Sequence, residues 1–137
     1  MQTKSMGGIL FIDDSYNANP DSMKAGLSAL AALKNPGRKI AVLGCMGELG
    51  PYADDGHRSV GIHAAMLGIS AIYSVGEGAG LICDAARAGG HAETQHFPSH
   101  EACSAHLKKF LRPGDAVLLK GSRSAGMEKI LSLFQTA

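Results

Sequence analysis

The densest cluster of polar and aromatic side chains in the sequence lies between residues 14 and 20. This segment, Asp14-Ser15-Tyr16-Asn17-Ala18-Asn19-Pro20, follows an apolar run and combines a carboxylate, an aromatic ring and two amides. An Asx turn and a helix cap would account for Asp14 and Asn19. An aromatic face beside amide groups also suits a purine or a ribose, which would give Tyr16 and Asn17 a function. Composition alone leaves both interpretations open.

A second segment, residues 120–128, has the composition of an anion-binding site. It contains the cations Lys120 and Arg123 and the hydroxyl groups of Ser122 and Ser124, and it precedes a predicted helix. Free backbone N–H groups and the helix dipole favour an anion at such a position, and an arginine fork matches a carboxylate or a phosphate. The alternative is that both cations are solvated and Ser124 only caps the helix. The small residues leave room for a ligand and favour the anion site.

Two glycine-rich loops are less specific. The spacing in Gly76-Glu77-Gly78-Ala79-Gly80 is GxGxG rather than GxGxxG, so a tight strand-to-helix turn is favoured over a dinucleotide site. The loop Gly44–Tyr52 contains Cys45, for which a small apolar role is favoured over a nucleophilic one because no partner base is identifiable. The sequence has no GxxxxGK[ST] motif, so it cannot hold a triphosphate in a P-loop by itself.

Metal binding and disulfide bonds are not expected. The three cysteines show no CxxC spacing, the six histidines form no HExxH motif, and His100 and His106 fall on different faces of one predicted helix. We therefore predict no metal site, histidines that lie on the surface, and cysteines that pack as small apolar residues. Unpaired cysteines favour a reducing cytoplasmic compartment.

The composition excludes several classes of protein. The 137 residues are 45% hydrophobic and 18% charged, with a formal net charge of +1. A chain of this kind is expected to fold as a single domain, 1–137, rather than to be disordered. Its charge does not suit a nucleic-acid partner, and it has no apolar run of the ~20 residues that a membrane span needs.

Short apolar runs alternate with segments of helical period along the whole chain. The predicted strands are Gly8–Ile12, Lys39–Leu43, Ala71–Val75, Gln95–Phe97 and Ala116–Lys120. The predicted helices are residues 20–33, 53–67, 80–88, 99–111 and 127–134. This alternation predicts an α/β, three-layer Rossmann-like domain with a mostly parallel sheet of about six strands and helices on both faces. Gln2–Ser5 is a candidate antiparallel partner of the first strand, and ligands should bind beyond the carboxyl ends of the parallel strands.

Three motifs occur in an order and at a spacing that resemble the C-terminal domain of the Mur ligases, in the branch that adds D-alanyl-D-alanine. They are residues 14–23 (DSYNANPDSM), 42–50 (VLGCMGELG) and 119–128 (LKGSRSAGME). His57 also fits the family pattern, and the resemblance covers nearly the whole chain. Cys45 departs from it, because the family usually has Asp there, and the thiol lacks that residue's charge and acceptor.

The resemblance implies the C-terminal lid of a three-domain, ATP-dependent amide ligase of peptidoglycan precursor synthesis in the bacterial cytoplasm. Its partners would be an N-terminal domain that binds the uridine nucleotide and a central P-loop ATPase domain with Mg²⁺. The implied substrates are ATP, UDP-N-acetylmuramoyl-tripeptide and D-alanyl-D-alanine, joined through an acyl phosphate. The chain alone would bind no cofactor tightly, contribute no catalytic residue and be inactive. It starts almost inside its first strand, which suggests a piece of something longer.

Carried over residue by residue, the resemblance implies two sets of contacts. ATP would be contacted by Asp14, Tyr16, Asn17, Asn19 and Pro20. D-alanyl-D-alanine would be contacted by Lys120, Ser122, Arg123, Ser124 and Ala125. Two alternatives stay open, namely a stand-alone nucleotide-binding or interaction module and the lid of a related Mur or folylpolyglutamate-type ligase.

Overall fold

The computed structural model describes residues 2–14, 18–91 and 93–135. Within these residues the strands are β1 (Gln2–Met6), β2 (Ile9–Asp14), β3 (Lys39–Gly44), β4 (Ala71–Val75), β5 (Thr94–Phe97) and β6 (Ala116–Lys120). The α-helices are α1 (Pro20–Ala32), α2 (Ala53–Met66), α3 (Gly80–Ala88), α4 (His100–Phe110) and α5 (Glu128–Gln135). Short 3₁₀ turns cover Gly50–Tyr52 and Arg123–Ala125. The predicted strands and helices are all present, with bounds that shift by one or two residues.

The described strands form one sheet in the order β1-β2-β6-β3-β4-β5. β1 pairs antiparallel with β2, and the other neighbouring strands are parallel. The predicted fold class is therefore confirmed, including the antiparallel first strand. In register, Lys120 on β6 lies between Asp14 on β2 and Leu43 on β3, so the carboxyl ends of these three strands are neighbours.

Helices cover both faces of the sheet because successive strand residues alternate between two apolar cores. On β3, Ala41 and Leu43 face the core shared with α1, α2 and α3, whereas Ile40 and Val42 face the core shared with α4 and α5. Strands that are apolar on both sides belong in the middle of such a three-layer domain. Among the described residues, no helix has the length and apolar character that would let it cross a bilayer.

Local sequence signals explain where the helices begin. The Asn19 side chain accepts a hydrogen bond from the Ser22 N–H at 2.8 Å, and the Ser22 hydroxyl accepts one from the Asn19 N–H at 3.0 Å. This reciprocal pair is a capping box, and Pro20 follows as the first helical residue. Ser99 caps α4 in the same way, through a hydrogen bond from Ala102 N–H at 3.1 Å. The cap at Asn19 agrees with one of the two interpretations that the sequence left open for that residue.

A buried carboxylate ties the amino ends of β3 and β6 together, at the sheet edge opposite the three neighbouring strand ends. Asp115 is 2% exposed and accepts hydrogen bonds from the Arg38 guanidinium (2.7 Å from Nη2) and from the backbone N–H groups of Arg38 and Arg112. Burial by itself raises the pKa of Asp115, but these hydrogen bonds outweigh it and lower the pKa below its ordinary value. This ion pair is structural, because it lies at the edge away from the predicted ligand loops.

Candidate functional site

The three sequence motifs meet at one cleft beyond the carboxyl ends of β2, β6 and β3. The cleft has a volume of about 570 Å³. It is lined by Ala18, Asn19, Gly47, Glu48, Leu49, Ser122, Arg123 and Ser124. Because these residues come from all three motifs, the predicted position of the ligand site agrees with the position of the cleft.

The loops that follow β3 and β6 are in direct contact. The Ser122 N–H donates to the Cys45 carbonyl at 2.8 Å. A Cβ at Gly121 would lie 3.0 Å from the Gly44 Cα, and a Cβ at Gly44 would lie 2.6 Å from the Met127 Sδ. Glycine at both strand ends is therefore what lets the two loops approach each other.

The His57 side chain, on α2, holds the loop after β3 through a hydrogen bond. Its Nε2 accepts a hydrogen bond from the Met46 N–H at 2.9 Å, so Nδ1 carries the proton and donates to the Ala53 carbonyl at 2.6 Å. His57 is 3% exposed, so the prediction of surface histidines is wrong at this position. Its place in the family pattern was the one sequence signal that marked it.

The residues predicted to contact ATP and the dipeptide are linked by an ion pair. Lys120 Nζ lies 2.6 Å from Asp14 Oδ2, and the lysine side chain is 3% exposed. Its stem passes beneath α1, where a Cβ at Gly26 would lie 3.1 Å from the Lys120 Cδ. Asp14 and Lys120 thus have structural partners in each other.

The remaining residues of the first motif have different surroundings. Asn19 lines the cleft while its side-chain oxygen caps α1, and Pro20 is the first residue of that helix. Tyr16 and Asn17 lie outside the described residues. Of the five residues predicted to contact ATP, Asn19 therefore lies at the cleft, and the carboxylate of Asp14 is turned to Lys120.

The second predicted set surrounds the other side of the cleft. Arg123 and Ser124 are exposed in it, and the Ser124 hydroxyl lies 3.1 Å from that of the more buried Ser122. The Ser122 hydroxyl is also 3.8 Å from the Cys45 Sγ. The Ala125 carbonyl accepts a hydrogen bond from His100 Nε2 at 2.7 Å, which ties this loop to α4.

The resemblance implied no ligand for the motif at residues 42–50, yet three of its residues line the cleft. These are Gly47, Glu48 and Leu49. Glu48 has φ of 60° and is the one non-glycine residue with positive φ in the described part of the chain. A charged side chain held in this conformation at a cleft is a functional candidate that spacing alone does not reveal.

The glycine loop after β4 makes a tight turn and does not line this cleft. Gly76 and Gly78 have φ of 90° and 86°, and the Ala79 N–H donates to the Gly76 carbonyl at 3.3 Å. Within residues 2–14, 18–91 and 93–135, no three His, Cys, Asp or Glu side chains are grouped so that they could hold a metal ion.

Comparison with known proteins identifies the family. The profile of the Mur ligase glutamate ligase domain matches residues 1–123. The UDP-N-acetylmuramoyl-tripeptide–D-alanyl-D-alanine ligase of Mycobacterium bovis is 40% identical over 147 aligned positions, which cover 93% of this chain and 29% of the relative. The chain thus spans about three tenths of the length of the curated relatives it matches.

Solved structures show the same similarity. MurF from Acinetobacter baumannii superposes with a TM-score of 0.87 at 30% identity, over 98% of this chain and 30% of that one. A MurF ligase from Thermotoga maritima in complex with ADP gives a TM-score of 0.81 at 28% identity, over 96% and 29% of the respective chains. With its motifs gathered at one cleft and a family profile that matches most of its length, this chain belongs to the Mur ligase family.

Proposed function

We propose that this chain is the C-terminal domain of an ATP-dependent ligase that joins D-alanyl-D-alanine to UDP-N-acetylmuramoyl-tripeptide. The single observation that carries the proposal is the convergence of the three family motifs on one cleft of about 570 Å³. That volume lies within the ~300–1,000 Å³ of typical ligand pockets. The names of the relatives support the choice of substrates.

The rest of the enzyme would be supplied by two further domains of the same polypeptide. The chain has no P-loop motif, and its described residues offer no group that fits Mg²⁺. We therefore assign the uridine nucleotide, the magnesium ion and the phosphates of ATP to an N-terminal and a central domain. Such an enzyme, working on ATP and a UDP-linked precursor, would act in the bacterial cytoplasm.

ATP would supply the phosphoryl group that activates the terminal carboxylate of the tripeptide. The residues of this chain would then bind the incoming dipeptide. Once its ammonium group has lost a proton, the amine would attack the activated carbon, the C–O bond to phosphate would break, and a second proton would leave the nitrogen as the amide forms. Arg123 matches the dipeptide carboxylate as a bidentate donor, and the hydroxyl groups of Ser122 and Ser124 are further donors. Closing this domain over the reaction would position the amine and exclude water, which would otherwise hydrolyse the activated carboxylate.

The nucleoside of ATP would contact the loop between β2 and α1. Asn19 lines the cleft, and Tyr16 and Asn17 supply an aromatic ring and an amide in the same loop. Asp14 and Lys120 contribute through their ion pair, which fixes the positions of the two loops, rather than by direct contact with ligands. In this assignment, the loop between β2 and α1 contacts ATP and the loop after β6 contacts the dipeptide. The Asp14–Lys120 ion pair positions both loops.

The test is phosphate release by the full-length protein that contains this chain. We expect release from ATP, Mg²⁺ and UDP-N-acetylmuramoyl-tripeptide to depend on D-alanyl-D-alanine, and the 137-residue chain alone to release none. The same assay with glutamate or another single amino acid in place of the dipeptide shows whether the protein is instead a related ligase. Dipeptide-independent release, or a preference for glutamate, would overturn the proposed substrate.

A further inference from the structure

We propose that Glu48 binds the ammonium group of the incoming dipeptide, so that the cleft recognises both charged ends of its ligand. The inference rests on the proposed function and adds a specificity-determining residue to it. Its starting point is that the cleft has two charged lining residues of opposite sign. Glu48 comes from the loop after β3 and Arg123 from the loop after β6.

The backbone at Glu48 indicates that the side chain is there for a reason other than folding. Its φ of 60° is a left-handed conformation that an L-residue with a long side chain adopts only with strain. Glycine would adopt it freely, and the loop already has Gly47 and Gly50 on either side. Strain of this kind concentrates at ligand sites, where the surrounding structure imposes it.

The Glu48 carboxylate is also available to a ligand. The side chain is exposed at the cleft, and within the described residues it has neither an ion pair nor a side-chain hydrogen bond. A cation is the ligand group that suits a carboxylate at a cleft, because the two form a charge-assisted hydrogen bond. The terminal amine of a dipeptide is such a cation at neutral pH.

The two loops that carry Glu48 and Arg123 are joined to each other. The Ser122 N–H and the Cys45 carbonyl join the two loops at 2.8 Å, and His57 anchors Met46 at 2.9 Å. An extended dipeptide spans at most about 7 Å between its charged ends. The cleft volume of about 570 Å³ lies within the ~300–1,000 Å³ of typical ligand pockets and is sufficient for a ligand of this size. Paired recognition of this kind selects a zwitterionic dipeptide over ligands that lack either charge.

The experiment compares Glu48→Gln with the parent in the full-length ligase, with two ligands that differ only at the amino end. One is D-alanyl-D-alanine, and the other is D-lactoyl-D-alanine, which has a hydroxyl in place of the ammonium and is measured as a competitive inhibitor. We expect the KM for the dipeptide to rise roughly tenfold or more, because a charged hydrogen bond is lost. The inhibition constant of D-lactoyl-D-alanine and the KM for ATP should change less than about twofold.

Two further variants separate binding from folding. Glu48→Gly relieves the backbone strain, so it should raise the dipeptide KM without lowering the melting temperature. Glu101→Gln removes an exposed acid on α4, which is not among the described residues that line the cleft, and should leave the dipeptide KM unchanged. Arg123→Ala should give the complementary pattern, with affinity lost for the dipeptide but kept for its C-terminal amide.

Equal weakening of D-alanyl-D-alanine and D-lactoyl-D-alanine by Glu48→Gln, or no weakening of either, would overturn the inference. This failure is distinct from that of the proposed function, because the parent enzyme would still use the dipeptide. If the parent showed no dipeptide-dependent turnover, the proposed function itself would fail.

Discussion

Lys120 Nζ lies 2.6 Å from Asp14 Oδ2, and this ion pair joins the last residue of β6 to the last residue of β2. The family resemblance implied different ligands for these two residues, ATP for Asp14 and the dipeptide for Lys120. In the structure they fix the two loops to one edge of the sheet, with the lysine stem in the space left by Gly26 on α1. A change at either residue should therefore affect both loops.

Because Lys120 and Asp14 form an ion pair, we expect substitutions at the two residues to have non-additive effects on the free energy of unfolding. Lys120→Met and Asp14→Asn should each lower the free energy of unfolding of the chain by roughly 2–3 kcal/mol, because each removes the ion pair between a buried lysine and a carboxylate that is largely shielded from solvent. The double variant should lose clearly less than the sum of the two, as measured by urea denaturation and a double-mutant cycle. Additive losses would show that the two side chains do not stabilise each other.

We expect a substitution at Arg123 to change the KM values of the full-length ligase for its two substrates unequally. Arg123→Ala should raise the KM for D-alanyl-D-alanine by about tenfold or more while the KM for ATP changes less than about twofold, since a bidentate contact to one carboxylate is lost. Steady-state kinetics with each substrate varied in turn measure both constants. Arg87→Ala, an exposed arginine on α3, is the matched control and should change neither. Equal increases in both KM values would exclude the proposed role.

We expect the His57 side chain to keep the loop after β3 ordered through its hydrogen bond with the Met46 N–H. His57→Ala removes the acceptor for the Met46 N–H, so amide hydrogen exchange at Met46 should accelerate and stability should fall by about 1–3 kcal/mol. The control is His63→Ala on the same helix, whose partner is the exposed Ser28 hydroxyl at 3.1 Å. Its effect should stay within about 0.5 kcal/mol. Unchanged exchange at Met46 in His57→Ala would show that the histidine does not hold the loop.

We expect Asp115 to account for part of the stability that the fold loses at acid pH. Its folded pKa lies below its ordinary value of 3.8, so the stabilisation is complete above that value and is lost as the pH falls through the lowered pKa. Asp115→Asn should be less stable than the parent at neutral pH, and its urea midpoint should decline less steeply from about pH 4 downward. Asp84→Asn, which changes a 67%-exposed carboxylate, should leave the slope unchanged. Parallel curves for the parent and Asp115→Asn would contradict the assignment.

The three cysteines predict unequal reactivity. Cys83 and Cys103 are buried, and burial raises the pKa of the Cys103 thiol to about 12. Cys45, in the loop after β3, is partly exposed. A thiol reagent such as 5,5′-dithiobis(2-nitrobenzoic acid) should therefore modify one thiol rapidly in the folded chain and the other two only in denaturant. Cys45→Ser should abolish the rapid phase, and a rapid phase that persists would place the reactive thiol elsewhere.

The order of strands and helices could be predicted from the sequence, because that information is local. Apolar runs, the Asn19 and Ser99 caps and the turn glycines each act within a few neighbours along the chain. The parallel sheet and the position of the cleft followed from the rule that ligands bind beyond the carboxyl ends of such strands. The motifs themselves were visible as types and spacings.

The packing of distant segments determines which of these side chains line the cleft and which support the fold. Lys120 and Asp14 are 106 positions apart in the chain, and their pairing depends on β6 lying beside β2. The same holds for His57, whose place on α2 brings its Nε2 within 2.9 Å of the Met46 backbone nitrogen, and for Glu48, whose positive φ was not predicted from the sequence. Contacts between distant segments are set by packing, which no local pattern encodes.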